Sequence, residues 1–266
     1  MGYTEAGDFE EKTAVIEAMT GRCGCAGIPI VFEGASVLEI GGAGGVLGGL
    51  ISRNTRKTIV TDIIDVQVQY GGQFPKLLKE KFERNARTLD LSRIEFHAVD
   101  AMDLPYRDGL FDVVLSNNAF EHIPDPFQAL REVLRVLKTG GVGYLTFDPI
   151  WTADTGSHFG HYVKEPWAHL LQSTDEFAVK MRNAGAAEWE VSDFIHGLNR
   201  VPCSEYKKRL HDVLGSAGLT KYTIDSWTGC VDPQSVLHPN RLHASSALRC
   251  DEGDLLVRGF YVALQK

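Results

Sequence analysis

The sequence has no run of 18 apolar residues and no long run of lysines and arginines. The first absence leaves no candidate membrane span. The second leaves nothing to track a nucleic-acid backbone, and the net charge of -8 points the same way. Cysteine is sparse. The five residues Cys23, Cys25, Cys203, Cys230 and Cys250 are odd in number and scattered, and Cys23-Gly24-Cys25 is too short for a C-x-x-C metal or redox pattern. They read as free thiols of a reducing compartment. Met1-Gly2-Tyr3-Thr4-Glu5 carries acid where a secretory signal carries positive charge, so a cytoplasmic location is the expectation. No internal repeat or low-complexity tract is present. What remains, 266 residues with 44% apolar content, has room for one large α/β domain or one domain with an insertion.

A further absence narrows the ligand. Val37-Leu38-Glu39-Ile40 has the character of a buried strand, and it runs into Gly41-Gly42-Ala43-Gly44-Gly45 before a helical start at Val46. Strand, glycine turn and helix N-terminus make a ligand cradle. Yet no register supplies the G-x-G-x-x-G fingerprint, because the place a third glycine would need is Leu47. No tyrosine is followed four residues later by lysine, so an NAD-type oxidoreductase lacks its catalytic pair as well. Read alone, the turn also suits a plain βα connection with no ligand.

In chain order, Phe9, Val15, Ile16 and Met19 predict an amphipathic helix over residues 5–20 that Gly21 ends. It covers the cleft or packs on the sheet edge, and residues 21–35 follow as a loop. Thr58-Ile59-Val60-Thr61-Asp62 predicts a second strand. Asp62 lies 21 residues past Gly41, and an acid about 20 residues beyond the first glycine reaches ribose hydroxyls in doubly wound folds. Asp65 is the competing choice. Residues 74–87 predict a helix with Leu78 and Phe82 on one face, and Arg93 to Asp100 a third strand in which His97 has no special role. Phe111 to Asn117 predicts a fourth strand. Asp125 and Pro126 suit the N-cap and first position of a helix running to Leu137, and Tyr144 to Phe147 a fifth strand.

Several of these segments carry a family pattern. Glu39-x-Gly41-x-Ala43-x-Gly45 resembles the glycine motif of the class I S-adenosylmethionine-dependent methyltransferases, with Ala43 in place of its middle glycine. Asp100-Ala101-Met102-Asp103-Leu104-Pro105-Tyr106 resembles the family's D-A-x-D-L-P-(F/Y). Phe111-Asp112-Val113-Val114 matches its fourth strand, Asn117 to Pro126 its N-x-x-x-E-H-(I/V)-x-D-P run, and Lys138-Thr139-Gly140-Gly141 its K-P-G-G. The resemblance spans residues 36–148 and concerns the small-molecule group of the family.

The resemblance implies a Rossmann-like, doubly wound α/β sheet of seven strands, the last antiparallel, with helices on both faces. It implies S-adenosylmethionine as cofactor and S-adenosylhomocysteine as product. Glu39 would hold the amino-acid end, and Gly41, Gly42, Ala43 and Gly45 would accommodate the methionine-adenosine portion. Asp62, with Ile63, would take the ribose. Asp100 would accept from the adenine amino group, with Ala101 supporting the ring and Met102, Asn117 and Asn118 completing the set.

Residues 149–200 exceed the minimal fold and hold Trp151, Trp167 and Trp189 with His158, His161, His169 and His196. They read as a cap inserted after strand five. Its aromatics either wall a substrate or pack on one another. His158 and Trp167 are the candidate acceptor contacts. His122 or His161 is the candidate base, while Glu121-His122 also reads as helix-start structure that supports its neighbours. The spacing of His158, His161 and His169 fits no zinc pattern, so no metal is expected. A helix over 204–214, strands near 220–227 and 255–264, and a long connection over 229–253 complete the chain. The divisions expected are thus 1–35 as lead-in, 36–148 as cofactor core, 149–200 as cap and 201–266 as the rest of the core sheet. The function expected is methyl transfer to an O or N atom of a small-molecule acceptor. The alternatives are a non-catalytic S-adenosylmethionine-binding protein or an NAD-type oxidoreductase.

Overall fold

Central strands buried on both faces alternate with helices that carry one apolar stripe, and their order dictates a layered sheet. The computed structural model of the chain describes residues 4–42, 44–219 and 221–266. In order come α1 (Glu5–Cys25), β1 (Ser36–Ile40), α2 (Val46–Ser52), β2 (Lys57–Asp62), α3 (Val66–Gln69), α4 (Phe74–Arg84) and β3 (Ile94–Ala98). Then follow β4 (Phe111–Asn117), α5 (Pro126–Val136), β5 (Leu137–Phe147), α6 (Ala168–Leu171), α7 (Thr174–Asn183), α8 (Glu188–His196) and α9 (Cys203–Ser216). The chain finishes with β6 (Tyr222–Thr228), α10 (Pro239–Leu248) and β7 (Val257–Gln265).

The seven strands lie in the order β3-β2-β1-β4-β5-β7-β6. β1 to β5 are parallel, and β7 inserts antiparallel between β5 and β6. This is the Rossmann-like arrangement that the family resemblance implies. The winding reverses between β1 and β4, and in open parallel sheets that switch point opens a crevice beyond the strand ends.

Alternation along β1 sets the two layers. Val37 packs with Met19, Cys23, Leu47 and Ile51 on the α1 and α2 face. Leu38 and Ile40 join Phe127, Leu130 and Val133 on the α5 face. Each such buried side chain contributes roughly 1.5–3 kcal/mol. α5 starts where expected: Asp125 Oδ1 accepts from the amides of Phe127 and Gln128, both at 3.0 Å, and Pro126 is the first helical residue.

Three expectations need correction. α1 does not end at Gly21. A Cβ there would meet nothing, and Cys23, one turn beyond the buried Met19, is fully buried, so packing carries the helix to Cys25. Glu121-His122 is not a helix start but a turn ahead of α5. The connection over 229–253 is largely helical, with a 3-10 turn at Pro233–Leu237 and then α10, each begun by a proline behind a side-chain cap from Asp232 or His238. Residues 149–200 fold as α6, α7 and α8 with intervening turns around a small core of Phe159, Phe177, Met181, Val191 and Phe194.

Candidate active site

The glycine turn is held by its neighbour strand. The amides of Gly41 and Gly42 both donate to the Thr61 carbonyl, at 2.8 and 3.0 Å. Gly41 has φ +74°, and a Cβ on it would lie 2.2 Å from Ala119 Cβ. Only glycine allows that approach. Gly42 and Gly48 leave room for a different group: a Cβ on either would lie 2.5 Å from the Glu39 side chain. Glu39 is therefore wedged beneath the turn, against α2 and Val60. Burial pushes its carboxyl up to about 8, against the pull of Lys12 and the Gly48 amide, while Asp62 adds to the rise.

Beyond the strand ends lies a cleft of about 480 Å³, within the usual size range of small-molecule sites. β1 and its turn give Ile40 and Gly41, and β2 gives Thr61 and Asp62 followed by Ile63 and Ile64. Val99, Asp100, Ala101 and Met102 come from the end of β3, and Asn118, Ala119, His122, Ile123 and Pro124 from the loop after β4. Asp62 Oδ1 accepts from the Ile64 amide at 3.0 Å and Asp100 Oδ1 from the Met102 amide at 2.8 Å, so each carboxylate is oriented by its own loop. Thr146 fixes Asn118, donating to its Oδ1 at 2.8 Å and accepting from its amide at 3.0 Å.

α8 and the residue after it close the cleft with Asp193, His196 and Gly197. This wall is stitched to the loop after β4. A ring N–H of His122 donates through Nδ1 to the Gly197 carbonyl at 2.8 Å. Asn199 donates to the carbonyls of Glu121, Phe120 and Ile123. A carbonyl only accepts, so in the neutral His122 ring the lone pair sits on Nε2.

Behind His122 lie Glu121 and His158. The two imidazoles meet edge to face with centroids 4.8 Å apart. His158 donates through Nε2 to the Pro149 carbonyl at 3.0 Å, and burial beside His122 pushes its pKa down to about 4. Glu121 is 3% exposed, and neither carboxylate oxygen meets a donor in hydrogen-bonding geometry among the described residues. Burial raises its carboxyl to about 8, the Glu121 and Asp148 amides pulling it down and the Asp148 carboxylate adding to the rise.

The cleft thus gathers Gly41, Asp62, Ile63, Asp100, Ala101, Met102, Asn118 and His122 among the residues singled out from the sequence. Glu39, Gly42, Gly45 and Asn117 are not among its walls, and Ala43 lies outside the described residues. Trp167 is not a cleft residue: it is fully buried, and its Nε1 donates to the carbonyls of Thr152 and Leu255. His161 sits apart, with a 60% exposed side chain 4.0 Å from Glu190. His158 lies behind the wall. Most of the cap's aromatics pack on one another, as Phe177 does on Phe194 with centroids 4.5 Å apart, Trp189 is 72% exposed, and no Phe, Tyr or Trp lines the cleft among the described residues. Asp193 and Gly197 were missed, and His196 was counted among the cap histidines without a role. Nothing in their local sequence marks them, since only the folding of α8 over the strand ends brings them there.

Residues 38–145 match the family model described as a methyltransferase domain. A sarcosine/dimethylglycine N-methyltransferase of Halorhodospira halochloris is 34% identical over 158 residues, 52% of this chain and 56% of that protein. A demethylmenaquinone methyltransferase of Bacillus mycoides is 35% identical over 150 residues, 48% of this chain and 63% of that protein. An uncharacterized methyltransferase of Mycobacterium sp. (strain JLS) is 28% identical over 133 residues, with 49% and 46% coverage. The chain thus spans about half the length of these curated relatives. In fold it is similar to a geranyl diphosphate C-methyltransferase of Streptomyces coelicolor, solved with Mg2+, geranyl diphosphate and S-adenosyl-L-homocysteine. The TM-score is 0.54 at 14% identity, over 96% of this chain and 79% of that one.

Proposed function

Residues 38–145 match a methyltransferase domain, and we propose that the chain is a class I, S-adenosylmethionine-dependent enzyme that moves a methyl group to an O or N atom of a small-molecule acceptor. The observation that carries this reading is the placing of Asp62 and Asp100 on one side of the switch-point cleft, with Gly41 between them and the loop after β4. Two carboxylates suit a ribose diol and an adenine amino group, and the side-chain space missing at Gly41 is the kind of room a nucleoside needs.

S-adenosylmethionine, when bound, supplies its methyl from a sulfonium, a good leaving group, by in-line displacement. What the chain adds is orientation and exclusion of water. Asp62 and Asp100 hold the nucleoside, and Ile63, Ala101 and Met102 flank it. Glu39 acts from beneath, shaping the glycine turn rather than touching the ligand. His122 carries the acceptor side, because it lines the cleft and keeps an unshared nitrogen lone pair. α8 closes over both. No helix of the described residues is long and apolar enough to cross a membrane, and a small acceptor suits a cleft of this volume.

Calorimetric titration with S-adenosylmethionine, S-adenosylhomocysteine and NADH tests the reading. Micromolar binding of both adenosyl ligands, lost in Asp62→Ala, with none for NADH, is the expected result. No adenosyl binding by the unaltered chain overturns it. Binding without turnover of any acceptor from a metabolite extract would leave a non-catalytic adenosyl-binding protein.

A further inference from the structure

We propose that Glu121, His122 and His158 form a binding site for a first-row divalent cation, of the Zn2+ or Mn2+ type, against the acceptor wall of the cleft.

One ligand atom from each of the three lies within 4.8 Å of the other two. Bonds of about 2.1 Å in a tetrahedral centre set donors about 3.4 Å apart, so the side chains close by about 1.4 Å at most to take an ion. The tautomers suit this. His122 donates through Nδ1 to the Gly197 carbonyl and His158 through Nε2 to the Pro149 carbonyl. Each imidazole is thereby left with one lone-pair nitrogen, Nε2 of His122 and Nδ1 of His158. A backbone carbonyl holding the other ring nitrogen is the usual support of a metal-binding histidine.

Glu121 supplies the independent observation. It is 3% exposed, and neither oxygen meets a donor in full hydrogen-bonding geometry among the described residues; only the amides of Glu121 itself and of Asp148 face it. A buried carboxyl met only by two poorly aligned amides destabilises a fold unless something else meets it. Glu121 stays in place because its backbone is tied down: its carbonyl accepts from the Asn199 amide at 3.0 Å. A cation beside it satisfies both oxygens at once. Two imidazoles and one carboxylate favour Zn2+, Mn2+ or a neighbouring transition ion over Ca2+ or Mg2+, which prefer all-oxygen cages.

The site deepens the methyl-transfer reading and rests on it for its purpose. Three protein ligands leave coordination positions open, and His122 belongs to the cleft wall, so an acceptor oxygen or nitrogen is the natural further ligand. The lone pair of His122 then serves as a metal ligand and orients the acceptor through the ion. The preferred acceptor would be one bearing a hydroxyl, carboxylate or keto oxygen near the methylated atom.

The test is calorimetric titration of the full chain, stripped with chelator, with ZnCl2 and with MnCl2. One site of micromolar or tighter affinity is expected, weakened at least about 100-fold in Glu121→Gln and in His158→Gln. Titration of both variants with S-adenosylhomocysteine checks that they fold, since neither residue lines the cleft. Cobalt substitution gives a second readout: ligand-field absorption bands present in the unaltered chain and lost in both variants. No cation binding, or binding that neither substitution changes, overturns the site. Cation binding with that dependence but no adenosyl binding keeps the site and overturns the methyl-transfer reading, whereas the reverse pattern overturns the site alone.

Discussion

Gly41 and Ala119 face each other across the mouth of the cleft so closely that a methyl group on Gly41 would sit 2.2 Å from the Ala119 methyl. One belongs to the turn after β1 and the other to the loop after β4, so the pair fixes the gap at the switch point. Gly41→Ala adds this clash to a left-handed backbone, which for a residue with a Cβ costs roughly 1–2 kcal/mol by itself. A lower thermal midpoint and at least tenfold weaker binding of S-adenosylhomocysteine are expected. The double variant with Ala119→Gly removes the clash but not the backbone strain. It should recover part of both losses, and strict additivity would show that the two residues do not meet.

Glu39 predicts a pH dependence of stability. Its carboxyl is raised from 4.5 to about 8 by burial, with Lys12 and the Gly48 amide pulling down and Asp62 pushing up. The unfolded chain ionises this group first, so its contribution is fully favourable below about pH 4.5 and is lost progressively as pH rises to about 8. Urea titrations of the unaltered chain and Glu39→Gln across this window should show a difference that grows as pH rises, to the benefit of the variant. A constant difference would mean that Glu39 is ionised in the folded state.

Trp167 separates stability from recognition. Trp167→Phe leaves the buried Thr152 and Leu255 carbonyls without their indole donor and should lower stability by about 1–3 kcal/mol. Affinity for the adenosyl ligand and acceptor preference should not move. A changed acceptor KM with unchanged stability would return Trp167 to the acceptor site.

Asp125 caps α5 through two amides. Asp125→Ala should lower stability by about 1 kcal/mol, measured by chemical denaturation, while Asp125→Asn should retain most of it.

What was legible in the sequence was what is local. β1, its glycine turn and the acids ending β2 and β3 are written in consecutive residues, and the parallel sheet leaves little choice in where their ends point. Glu39 was legible as a residue but its burial was not, because only the packing of Gly42 and Gly48 around its carboxyl shows that it sits beneath the turn. The cap misled for a related reason. A concentration of aromatics is the same in composition whether it lines a cleft or fills a core, and the meeting of Phe177 with Phe194 is a tertiary event. His158 and His122 stand 36 residues apart, so no spacing rule could join them. The helical character of 233–248 was available, however. Asp232-Pro233 repeats the cap-and-proline signal read at Asp125-Pro126, and His238-Pro239 is a variant of it.

The insertion of β7 between β5 and β6 bears on synthesis at the ribosome. β6 is made before β7, yet its partner in the sheet is β7 alone. Until residues 257–265 emerge, the edge of β5 from Val142 to Phe147 has no neighbour and β6 has nowhere to dock. The nascent chain therefore passes through a stage with a finished parallel half-sheet and one bare edge, the kind of surface that recruits another strand. That interval, ended by a single late strand, is when the molecule is most open to misassembly with its neighbours on a polysome.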